Sequence, residues 1–249
     1  MPQDRQTLVI ETAEQLLTPR SRREFVRAMA TGGTALFLPG VFTACDDDDG
    51  ITAPGVTTAT LDLAGDRGII NYLYAVEQVQ AAYYVRVVQE STAAGFNAIQ
   101  RRLLADIRNH EFIHRESLRA LLGLYRLPEL HLDGRWDGTN FRDPVSIFET
   151  ARRMEDIGLS AYNHAGRYMT EATDVLLVGK ISSVEARHSA IIRDFLDSYG
   201  ANSGKLFAGD DIVDETGLDS EGQPSTPAAV VEAFDPFIDA TLSLANPPA

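Results

Sequence analysis

Glu111 with His114 and Glu185 with His188 share one spacing, Glu-x-x-His, and together they use two of the chain's five histidines. On a helix, residues three apart lie on one face about 4.5 Å apart along the axis, so a carboxylate and an imidazole can converge on one cation. Each pair has an upstream partner, Glu77 before the first and Glu155 before the second. Both upstream glutamates carry a tyrosine seven residues on, at Tyr84 and Tyr162. The chain therefore reads as two repeats, each with a Glu on one helix and Glu-x-x-His on the next. Together they offer Glu77, Glu111, His114, Glu155, Glu185 and His188 as ligands for two ions, each Glu-x-x-His pair facing its own. Carboxylates on inward helix faces are costly when ionised and unpaired, and metal charge is the natural compensation. A donor set of oxygen and nitrogen without thiolate favours iron or manganese over copper(I) or a sulfur-bound zinc site.

Other residues of the repeat are candidates for support. Tyr84 and Tyr162 lie two turns beyond their glutamates, about 10 Å along the axis, where core packing or a hydrogen bond to a ligand is expected. A redox-active tyrosine is the sharper alternative. Gln80 and Gly158 hold equivalent places three residues after Glu77 and Glu155. Gly158 leaves a gap there, which either admits a small oxidant or lets the helices pack closely. His110, His131 and His164 have no repeat partner and are expected at the surface, although His110 beside Glu111 is placed to support a ligand.

The elements that position these residues follow from helical periodicity and stop signals. A first helix is predicted over about 66–90, its apolar face running through Ile69, Leu73, Val76, Gln80, Tyr84 and Val87 and containing Glu77. A second is predicted over about 97–122, with Gly123 placed to end it. Residues 123–143, with Pro128, Gly134, Gly138 and the lone Trp136, sustain no helical period and are long enough for a crossover between helices 2 and 3. Asp143 and Pro144 then form a helix start, with Asp as N-cap and Pro at the first helical position. The third helix carries Ile147, Ala151, Met154, Glu155, Gly158 and Tyr162 to one side. The fourth, over about 174–199, carries Ile181, Val184, Glu185, His188, Ile191, Phe195 and Leu196, with Gly200 able to cap it. The fold class is all-α, a four-helix bundle over 66–200. Residues 201–249 form a carboxyl-terminal extension, in which a polar loop leads to a short segment with Val230, Val231, Phe234, Phe237 and Ile238 that docks back on the bundle.

The amino terminus reads as an address. Arg22 and Arg23, with Phe25 at the expected offset, precede an uncharged, modestly apolar stretch from Ala28 to Ala44 and resemble a bacterial twin-arginine signal. That stretch is too short and too rich in glycine for a membrane span. Cys45 follows Phe42, Thr43 and Ala44 in a sequence that resembles a lipoprotein cleavage site, with Phe42 where leucine is usual. Residues 1–45 are thus read as a signal of possible lipoprotein type, and residues 46–65, opening on Asp46 to Asp49, as a flexible acidic linker. Membrane attachment is expected only through the signal or a lipid anchor, and the twin-arginine translocase is the expected partner in export. A formal charge of −14 argues against nucleic-acid binding. The single cysteine excludes an internal disulfide framework and a multi-thiolate cluster held by this chain alone.

The stretch from Tyr74 to Tyr84, His110 to His114, Glu155 to Tyr162 and Val184 to His188 resemble the bacterial ferritin-like domain proteins, which include those named desiccation-related. The resemblance covers roughly residues 66–240. It implies a ferritin-like four-helix bundle with a dinuclear iron or manganese site that handles oxygen, peroxide or ferrous iron, outside the cytoplasmic membrane. Bundles of this kind host several chemistries on one ligand set, so a non-catalytic protein of envelope protection with a vestigial site is the alternative.

Overall fold

The computed structural model describes residues 55–132, 134, 136–201 and 226–248. Arg22, Arg23, Cys45 and the acidic run from Asp46 to Asp49 lie outside them. Four long helices dominate: α1 (Gly65–Glu90), α2 (Ala98–Leu122), α3 (Pro144–Ala165) and α4 (Ala172–Ser198). A short helix, α5 (Pro227–Phe234), follows, and two five-residue strands, β1 (Thr58–Asp62) and β2 (Thr241–Ala245), flank the bundle in sequence.

Local chemistry sets most helix ends. Asn97 caps α2 with a reciprocal box: its side chain accepts from the backbone N–H groups of Ile99 and Gln100, and the Gln100 side chain accepts from the N–H of Asn97. Gly123, at φ 56°, ends that helix in the left-handed region that favours glycine. Asp143 caps α3 by accepting from Val145 N–H, with Pro144 at the first helical position. The start of α1 is tied to the turn between α3 and α4, where the Asp66 carboxylate accepts from the backbone N–H groups of Thr170 and Glu171.

α1 packs on α2, α3 packs on α4, and α1 packs on α3, while α2 and α4 share no comparable seam. α1 is also covered by the crossover. There Leu130 N–H donates to the Gln78 side chain at 2.7 Å, Leu127 N–H to Asn71 at 2.6 Å, and the Tyr74 hydroxyl to Glu129 at 2.7 Å. This explains why α1 is buried nearly all round and not along one stripe. Among the described residues of 123–143 are two short 3-10 turns, Gly123–Tyr125 and Trp136–Gly138, and Leu130 makes an isolated bridge to Val56.

Two expectations are corrected. The end of the segment read as a linker is a strand: β1 pairs in parallel with β2, Thr58 opposite Thr241 through Asp62 opposite Ala245, and Leu61 and Leu63 are buried. Its polar composition hid this because a ribbon lying on a bundle needs only alternate residues inward. His164, expected at the surface, is buried, with Nδ1 2.8 Å from the Ser160 carbonyl oxygen. The carboxyl-terminal segment does meet the core, burying Val230, Phe234, Phe237 and Ile238, while Val231 is half-buried. Residues 202–225, which hold the expected polar loop, lie outside the described residues. Among the described residues no helix is long and apolar enough to cross a membrane.

Candidate metal centre

One glutamate from α1, one from α3, and a Glu-x-x-His pair from each of α2 and α4 meet inside the bundle. Glu77, Glu111, Glu155 and Glu185 are all 0% exposed, and His114 and His188 are buried beside them. Their potential ligand atoms form two overlapping groups, each within 4.8 Å: Glu77, Glu111, His114 and Glu185 in one, Glu111, Glu155, Glu185 and His188 in the other. Glu111 and Glu185 belong to both. Each reaches toward the imidazole of the other repeat: Glu185 Oε1 is 3.0 Å from His114 Nδ1, and Glu111 Oε1 is 2.8 Å from His188 Nδ1.

These close atoms are not aligned for hydrogen bonding. Both oxygens of Glu111, one oxygen each of Glu77, Glu155 and Glu185, and Nδ1 of both histidines are buried without a hydrogen-bond partner. Buried polar atoms are normally satisfied, and lone pairs that converge on a common point without satisfying each other are what a cation requires. Charge balance points the same way, since two divalent ions would neutralise four carboxylates. The donor set present therefore fits bound metal.

Burial and mutual charge dominate the electrostatics of the cluster. Burial drives Glu77 well above the usual carboxylate range and raises Glu155 to about 8. Burial and the neighbouring Glu111 also raise Glu185. Glu111 is the exception: burial opposes its charge, but His114 and His188 hold it down to about 2. Burial works against charge on the imidazoles too, yet Glu77, Glu111 and Glu185 push His114 up to about 11. Glu111 and Glu155 do the same for His188. Burial and the charges of the neighbouring groups together set where each proton sits in the cluster.

The two tyrosines cross the repeat. Tyr84 of α1 donates its hydroxyl proton to Glu155 of α3, and Tyr162 of α3 donates to Glu77 of α1. Each repeat thus orients the other's glutamate. Tyr84→Phe removes one such bond from a fully buried carboxylate and is expected to cost about 1.5–3 kcal/mol, the range for hydrogen bonds to charged groups. Denaturant unfolding of the metal-loaded variant checks this, and an unchanged midpoint would count against the bond.

Gly158 provides no open gap. The Gln80 amide occupies the space, lying 2.5 Å from where a Cβ on Gly158 would stand, and donates to Glu185 Oε2 at 3.1 Å. The choice left open by the sequence falls to close packing, with the amide crossing the helix interface. His110 is exposed, as its lack of a repeat partner predicted, but its Nδ1 is 2.9 Å from His188 Nε2. His131 is half-buried and belongs to neither group.

Sequence reasoning missed one pair. Asp156, next to Glu155, receives both Arg193 guanidinium nitrogens, at 2.6 and 2.9 Å, and the Ser189 hydroxyl at 2.8 Å, all buried between α3 and α4. Arg193 stands eight residues after Glu185 and four after Ser189, on the same helical face. An inward cation there asks for an inward anion, and that signal was present.

A family model described as a ferritin-like domain matches residues 65–198, the span from the start of α1 to the end of α4. No curated protein and no solved structure matches the chain at a significant level.

Proposed function

Because the chain belongs to the ferritin-like domain family, we propose that it binds two iron or manganese ions at this cluster and uses them in redox handling of oxygen, peroxide or ferrous iron. The observation that carries the reading is the overlap of the two groups at Glu111 and Glu185, whose unpartnered atoms face both imidazoles. When bound, the ions supply Lewis acidity and electrons for reduction of a small oxidant. Glu77 and Glu155 serve one group each, while Glu111 and Glu185 serve both. Tyr84 and Tyr162 hold the outer carboxylates in place, and Gln80 holds one oxygen of Glu185. Apolar neighbours such as Ile107, Leu118, Met154 and Ile181 exclude bulk water, which strengthens each charge interaction inside. With neither oxygen engaged by a hydrogen bond, Glu111 is the carboxylate freest to reorient as charge changes.

The test begins with metal analysis after expression with both metals available. Less than one iron or manganese per two chains would overturn the reading in favour of a protective protein with a vestigial site. Oxygen consumption by ferrous protein, and oxygen release from peroxide by manganese-loaded protein, then test the two chemistries against a Glu155→Gln control. Signals no greater than that control would leave a binding role. A mineral store needs a closed shell of subunits, for which a tethered chain with a carboxyl-terminal extension is an awkward building block.

The placement we propose is outside the cytoplasmic membrane, by the twin-arginine route and with a lipid on Cys45. It rests on the residue pattern around Arg22 and Arg23. Arg22→Lys with Arg23→Lys is expected to abolish export, and Cys45→Ala to release a membrane-associated protein into the soluble fraction. Fractionation of the Cys45 variant with the membrane would remove the anchor from the reading.

A further inference from the structure

We propose that His110 is a positioning residue for His188, and that its absence from the other repeat makes the two ion positions unequal in affinity. The inference rests on the metal reading above and goes beyond it. For His188 to offer Nδ1 to a cation as a neutral imidazole, its proton must sit on Nε2. That proton points at His110 Nδ1, 2.9 Å away, and the two rings lie nearly parallel, 11° apart with centroids at 5.2 Å. His110 therefore accepts, keeps its own proton on Nε2, and locks both the tautomer and the ring direction of His188. A hydrogen-bonded outer nitrogen also makes the inner one a better donor.

The other half has no such support. The repeat aligns His110, one residue before Glu111, with Val184, one residue before Glu185. Valine has no acceptor to offer. Among the described residues no protein group hydrogen-bonds the outer nitrogen of His114, whose side chain is 8% exposed against 5% for His188. The remaining contacts to the cluster are shared evenly, since Tyr84 and Tyr162 serve one outer carboxylate each and Gln80 serves Glu185, which belongs to both groups. His110 against Val184 is the difference that falls on one imidazole and not the other. The group with Glu155 and His188 is then the tighter one and fills first.

Calorimetric titration of metal-free full-length protein with manganese(II) tests this. Wild type is expected to bind in two resolved steps. His110→Val should weaken the tighter step by about 10–100-fold, the usual effect of losing the outer partner of a ligating histidine, and leave the weaker step in place. His110→Asn, whose Oδ1 can stand where Nδ1 stood, should restore most of it. Val184→His should strengthen the weaker step. If wild type binds two ions and His110→Val binds them identically, the assignment of His110 is wrong while the metal site stands. A fully folded His110→Asn variant as weak as His110→Val would also overturn it. Should His110→Val fail to fold, Val184→His decides alone, and an unchanged weaker step refutes the asymmetry. No manganese bound by wild type would overturn the metal reading itself, and this one with it.

Discussion

Glu111→Ala is expected to remove both ions, whereas Glu77→Ala removes one. Glu111 contributes to both groups of ligand atoms, Glu77 to a single group. Both Glu111 oxygens are buried and unpartnered, one 2.8 Å from His188 Nδ1 and the other 3.6 Å from His114 Nδ1. Its loss leaves each position short of a carboxylate, and it also leaves two imidazoles in a dry site without their shared counter-charge. Metal content measured after anaerobic loading should fall close to zero per chain in Glu111→Ala and to about half of wild type in Glu77→Ala. Stability should follow the metal. Binding to the native state alone contributes about 2.7 kcal/mol at a hundredfold excess over Kd, so wild type should gain strongly on loading and Glu111→Ala should gain nothing. Equal metal content in the two variants would show that Glu111 is not shared.

The second large effect is proton-coupled binding. At neutral pH the metal-free site keeps a proton on His114 and on His188, both pushed up to about 11, and on Glu155, raised to about 8. All three must deprotonate to ligate, so loading two ions at pH 7 should release about three protons or more, and the two-ion binding constant should rise at least a hundredfold per pH unit from 6 to 8. The metal-free fold moves the other way. The raised histidines stabilise it fully below their unfolded value near 6.5, and that contribution fades as pH climbs toward 11. Glu155 is least costly below about 4.5 and loses that advantage through 8. Glu111, held at about 2, contributes above about 4.5 and fails only as pH falls through its own value. The gap in Tm between loaded and metal-free protein should therefore widen from pH 6 to pH 8. A gap independent of pH, or proton release below one per ion, would contradict the electrostatics of the cluster.

Much of the bundle was legible because its determinants are local. Asp143 with Pro144 and the glycines at 123 and 200 act within one turn of chain, so sequence suffices to place those helix ends. A period of 3.6 likewise puts Glu111 and His114, or Glu185 and His188, on one face without reference to any other helix. The resemblance to ferritin-like proteins rested on those same short stretches, and the family model covers the region they span.

What tertiary structure alone decided depends on residues far apart in the chain. β1 finds β2 across more than 180 residues, a pairing that neither strand's composition announces. The amide of Gln80 fills the space at Gly158, and Arg193 reaches Asp156, only because α1 meets α3 and α3 meets α4 at particular heights. The tyrosines bond to the glutamate of the opposite repeat, and His110 meets His188 where Val184 offers nothing equivalent. The sequence by itself determined which donors lie on which helix face, since that is set by rise and turn per residue. Which oxygen faces which nitrogen, and which buried atom is left without a partner, was settled by how four faces pack, because close-packed side chains fix one another's rotamers and no single helix contains that information.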